Sequence, residues 1–152
     1  MTRLQTFNLA EGASMFTSDE DLARIAHGIA DTTLPKAEWT HAAHFAAALW
    51  MLRAGTVHAL PDTIRRYNTA TGTMNTDTTG YHETITQASI RGAAAILKRY
   101  SPQAPLFDVA NMLMVSPLGR SDWLLVYWRR ERLFSVEARR VWVEPDLQPL
   151  PW

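Results

Sequence analysis

The alanine-rich segment from His41 to Leu52, His-Ala-Ala-His-Phe-Ala-Ala-Ala-Leu-Trp-Met-Leu, limits the possible folds more than any other part of the chain. Read as a helix, it carries apolar residues all the way round the cylinder instead of along one stripe, so it has no face to give to water. Such a helix must run through the middle of the molecule, covered on most sides. A chain of 152 residues fits one domain, and a domain of about that size hides roughly 70% of its unfolded surface, enough to cover a central helix without staples.

The remaining punctuation places its neighbours. Ser18, followed by Asp19, Glu20 and Asp21, reads as a capped start with carboxylates at the positive end of the dipole. Leu22, Ile25, Ala26 and Ile29 continue it at helical spacing over about 18–31. Thr32 to Pro35 breaks that helix, and the central one begins between Lys36 and His41 and ends before Gly55. Pro61-Asp62 opens a third helix through about Ala70. The threonine-rich run Thr71 to Gly80 then reads as a loop, longer than the usual helix–helix connection. A fourth helix spans about 81–100 with His82 near the middle of its apolar arc, and a fifth runs from Pro105 to about Val115. Ser121-Asp122 caps a sixth containing Trp123 to Trp128. Ser135 with Glu137 starts a short last one through Val143, where Val141 to Val143 has strand as its alternative. Residues 1–17 read as a loose N-terminal arm, and Pro145, Pro149 and Pro151 keep 144–152 extended. The expectation is an all-α fold, a single-domain helical bundle of five to seven helices over 1–152.

Composition removes several function classes. Lys+Arg and Asp+Glu both number 15, so no net field draws the protein to nucleic acid or to an anionic membrane. Arg129-Arg130, Arg132 and Arg139-Arg140 lie near Trp128 and Trp142, but Glu131, Glu137 and Glu144 interleave with them, as on a solvated helix face. Zero cysteines exclude disulfides, thiolate ligands and cysteine nucleophiles. The N-terminus lacks a signal-peptide pattern, and no apolar run approaches a membrane span, so a cytoplasmic protein is expected. Trp152, on its proline-rich tail, docks either on its own bundle or on a second subunit, the latter giving a homodimer.

Helix parity turns the list into a candidate site. With short connections, helices two and four run the same way, and their N-termini share one end of the bundle. That end gathers His41 and His44, His82 and Glu83, the run Arg65-Arg66-Tyr67-Asn68, the threonine loop, and the turn with Arg120 and Asp122. Three nitrogen ligands with an open position suit a catalytic divalent metal, zinc first. His41, His44 and His82 would be ligands, Glu83 a ligand or base, and Arg65, Arg66, Tyr67 and Asn68 contacts to a small polar or anionic substrate of a hydrolase or lyase. A metal-free pocket in which arginines and helix N-termini hold a small anion, with histidines as donors or acid–base groups, fits the same residues. So does a non-enzymatic interaction protein whose histidines are purely structural. Nucleotide-binding glycine loops, a Gly-x-Ser-x-Gly elbow and an EF-hand loop are absent.

The motifs Trp39-Thr40-His41-Ala42-Ala43-His44, Arg65-Arg66-Tyr67-Asn68, Gly80-Tyr81-His82-Glu83-Thr84 and Leu133-Phe134-Ser135-Val136-Glu137-Ala138-Arg139, with Trp142-Val143-Glu144-Pro145-Asp146-Leu147, together resemble a group of small uncharacterised bacterial helical proteins. The resemblance covers most of the chain beyond the first helix and implies a bacterial cytoplasmic protein. A looser, architectural similarity is to the DinB-like metal-binding bundles, with three clustered histidines and no shared motif that carries residue roles.

Overall fold

In a computed structural model, which describes residues 15–152, seven α-helices and no strand appear among the described residues. They are α1 (Asp19–Ala30), α2 (His41–Ala54), α3 (Leu60–Ala70), α4 (Glu83–Leu97), α5 (Leu106–Val115), α6 (Arg130–Leu133) and α7 (Val136–Arg140). None is long and apolar enough to cross a membrane. Helix α2 occupies the position its composition demands. Ala43, Met51 and every residue from Phe45 to Leu49 are buried, and α1, α4 and α5 pack around it. Thr40 starts the helix by accepting the Ala43 N–H at 3.2 Å, and Gly55 ends it in the left-handed conformation at φ 76°.

Start signals are used differently from the expectation in two places. Ser18 stands at the N-cap of α1, but its hydroxyl caps nothing. Asp21 instead reaches back to the Thr17 N–H at 2.7 Å, a bond that lowers its carboxyl pKa. Asp19 leaves its own helix and accepts the Phe107 N–H at 2.9 Å, capping α5 from across the bundle. The arm expected over 1–17 falls outside the described residues except for its end, and that end is held. Phe16 is buried and exchanges backbone bonds of 3.1 and 2.9 Å with the Asn111 side chain.

The last third departs most from the sequence reading. The helix expected over Trp123 to Trp128 is only a 3₁₀ turn, Trp123–Val126. The tail competes for the backbone here: Leu147 donates to the Tyr127 carbonyl at 2.9 Å, and the Arg129 N–H goes to Asp146 at 2.8 Å. Trp128 is fully buried and donates its indole N–H to the Val143 carbonyl at 3.0 Å, so the tail threads beside it. Helix α7 stops at Arg140, short of Val143. Beyond it, the buried hydroxyl of Thr84 donates to the Val141 carbonyl and accepts the Val143 N–H, tying an extended segment to α4 without a ladder. Trp152 docks on its own bundle, 6.0 Å from Trp123 and 6.5 Å from Tyr127 between ring centroids. Gly92 makes room for it, since a Cβ there would lie 3.3 Å from the Trp152 ring.

Candidate functional site

The helix parity holds. His41 and His44 of α2 share a pocket with Ile85 and Ser89 of α4, and at the other end Leu52 and Arg53 share a hollow with Leu97 and Lys98. The N-termini of α2 and α4 therefore lie together. The polar residues collected at that end nevertheless divide into two groups with different fates.

One group closes on itself. His82 is the N-cap of α4: its Nδ1 accepts the Ile85 N–H at 3.1 Å, and its Nε2 donates to the Leu133 carbonyl at 2.7 Å. Those partners fix the neutral Nε2–H tautomer and occupy both ring nitrogens, while burial pushes the imidazole pKa down. Glu83 accepts the Tyr81 hydroxyl at 2.6 Å, and burial followed by that carboxylate raises the phenol pKa. Tyr67 is fully buried and donates to the Leu34 carbonyl at 2.8 Å. Asn68 donates to Asn75 Oδ1 at 3.0 Å, and the same oxygen takes the Tyr81 N–H at 3.0 Å. Arg65 pairs with Asp62 at 2.8 Å and lies over the Tyr81 ring at 4.0 Å. Arg65 and Arg66 border a separate, shallow hollow with Thr69 and Asn75. The threonine loop is held by its own hydroxyls and by an Asp77–Arg140 ion pair at 2.6 Å.

The other group faces a pocket of about 350 Å³. Its apolar wall comes from Phe45, Ile85, Leu124, Leu133 and Phe134, and its polar groups from His41, His44, Ser121, Asp122 and Arg130. His41 Nε2 donates to the Leu118 carbonyl at 2.8 Å, which leaves Nδ1 with its lone pair. His44 does the reverse: Nδ1 donates to the Thr40 carbonyl at 2.7 Å, leaving Nε2 as the acceptor. Trp39 stacks on the His44 ring at 3.7 Å and 27°, and the edge of Phe45 meets the His41 ring at 5.1 Å. Protein packed around His44 disfavours its imidazolium and lowers its pKa, with the Thr40 carbonyl opposing and His41 adding to the fall. The residue also keeps an exposed edge, where water restores part of that charge's hydration.

The three histidines expected as one ligand set are thus not brought together. His41 and His44 share the pocket, whereas His82 turns to Leu133 with no nitrogen to spare. Among the described residues, no group of three or more His, Cys, Asp or Glu side chains is placed to hold a metal ion. Glu83, Arg65, Arg66, Tyr67 and Asn68 do not line the histidine pocket. The sequence reading placed Asp122 at this end but took Arg130 for a solvated helix face. Nothing local marks Arg130, which reaches the pocket because the tail-bound segment 121–134 folds over the start of α2. No family model, no curated protein and no solved structure matches the chain. Its function rests on its own geometry.

Proposed function

We propose that this chain is a small-anion-binding protein, acting without a metal, whose ligand occupies the pocket between the N-terminal turn of α2 and the 121–134 segment. The observation that carries this is the meeting in one pocket of two histidines with an unspent nitrogen each and a guanidinium, Arg130, free of any ion pair among the described residues. Arg130 supplies charge to a carboxylate or phosphate. The bare Nε2 of His44 accepts a proton from the ligand or from bound water, with the Thr40 carbonyl holding its tautomer as a general base requires. His41 is held by the loop after α5 and forms the wall. Asp122 tempers the positive charge, and Arg120 pairs with it at 3.1 Å. The motif resemblance supports a bacterial, cytoplasmic setting for this role.

Thermal unfolding in phosphate or succinate tests the reading. Either anion raises the melting temperature of the native protein, and Arg130→Gln removes the rise, whereas Arg66→Gln keeps it. A response that survives Arg130→Gln, or none at all, overturns it. The metal-dependent hydrolase or lyase reading keeps only His41 and His44 of its expected ligands in this pocket. A melting temperature raised by zinc and lost in His44→Gln, with no response to either anion, favours that reading instead.

A further inference from the structure

A second, larger cavity of about 730 Å³ lies on the other side of Trp123, with Leu118, Tyr127 and Trp152 among its walls and Arg99 and Arg120 beside them. We infer that this groove is a binding site for a planar aromatic monoanion, such as a fused-ring carboxylic acid. It is distinct from the histidine pocket and does not depend on what that pocket binds.

Three independent features carry the inference. First, Trp123 is 3% exposed, and its indole Nε1 is the one buried side-chain nitrogen or oxygen without a hydrogen-bond partner among the described residues. A buried donor left unmade is costly in a native fold, and a side-chain shift at this wall on binding lets it meet a ligand acceptor, which removes the cost. Second, the surfaces offered to a ligand are aromatic. Buried Trp123 backs Tyr127 at 6.1 Å and Trp152 at 6.0 Å between ring centroids, and Trp152 stays 41% exposed, so a flat ring has the Trp152 face to stack on. Third, the charge is selective. Arg120 is already engaged by Asp122, while Arg99 has no ion pair among the described residues. Two guanidinium groups and one carboxylate on the lining leave a single net positive charge, matched by one anionic head. The volume lies within the range of pockets that enclose small organic ligands, roughly 300–1,000 Å³.

Trp123 and Asp122 line both cavities, so the test must separate them. Titration of the full chain with 2-naphthoate, followed by the indole N–H resonances of its six tryptophans, does so once the Trp123 signal is assigned by its loss in Trp123→Phe. Saturable binding moves the Trp123 N–H signal downfield and perturbs that of Trp152. Arg99→Gln, an exposed change, weakens binding about tenfold, as does Trp123→Phe, in line with hydrogen bonds to a charged group. Arg130→Gln and His44→Gln leave it unchanged. The neutral 2-naphthamide binds at least tenfold more weakly than the acid. Equal binding of acid and amide, a naphthoate affinity untouched by Arg99→Gln, or a Trp123 signal that stays in place each overturns the inference. Loss of binding in Arg130→Gln rather than Arg99→Gln does so too, by assigning the ligand to the other pocket.

Discussion

Two flanks of one bundle end carry the same kinds of residue and use them in opposite ways. On the flank built from α3, the threonine loop and the start of α4, His82, Glu83, Tyr67, Asn68 and Asn75 each spend their polar atoms on another part of the chain. On the flank built from the first turn of α2 and the 121–134 segment, His41 and His44 each spend one nitrogen on a carbonyl and keep the other. Residue type does not separate the two. Satisfaction does, because a buried polar group that already has its partners is structure, and a positioned one with a lone pair to spare is available for chemistry.

The largest effects are expected where the closed flank is broken. Gly80 adopts φ 75°, and a Cβ there would come within 2.5 Å of the Met74 carbonyl oxygen and 2.9 Å of the Asn75 Cα. Gly80→Ala should cost about 4 kcal/mol, from left-handed strain plus displacement of the Asn75 knot, read by denaturant unfolding. His82→Ala removes the α4 cap, the bond to Leu133 and the packing of a buried ring, and should cost about 3 kcal/mol. A loss under about 0.5 kcal/mol would show that His82 is not the structural residue described here.

The pH dependence follows from the same contrast. Burial lowers the folded-state pKa of His82 below its unfolded value, so the unfolded chain binds more protons in that range. The stability of the neutral form is therefore fully present above about pH 6.5 and is lost as pH falls towards and through the folded pKa. The melting temperature should drop between pH 7 and pH 5, and the drop should shrink in His82→Gln. His44 shifts in the same direction, but its open edge makes its share smaller. Smallest in stability are changes on the open flank. His44→Gln and Arg130→Gln should move unfolding by no more than about 0.5 kcal/mol each, while abolishing the response to phosphate or succinate. A large stability loss in either would erase the difference between the flanks.

What could be read from residue order was what depends on local pattern. The all-round apolar surface of 41–52 marked α2 as central, and capping or breaking residues bounded α1 to α5 within a few positions. The parity of α2 and α4 followed from short connections, and it placed His41 and His44 at the end where α4 also begins. The role of His82 was not legible, because whether a ring caps a helix or faces a pocket depends on the Leu133 carbonyl, 51 positions away. The segment 121–134 was misread for a similar reason. Its tryptophans and leucines have helical content, but Leu147 and Asp146 of the tail take backbone groups that a helix would have used. Arg130 enters the pocket only through that long-range exchange, so no nearby signal announced it.

The central claim is that His41 and His44 face a ligand and His82 does not. The side-chain nitrogen resonances of the histidines, recorded during titration with succinate, test this most directly. The account predicts that the signals of His44 Nε2 and His41 Nδ1 move together and saturate, while both nitrogens of His82 stay fixed in the neutral Nε2–H form. Movement of His82 in step with the other two, or no movement at His41 and His44, would contradict it.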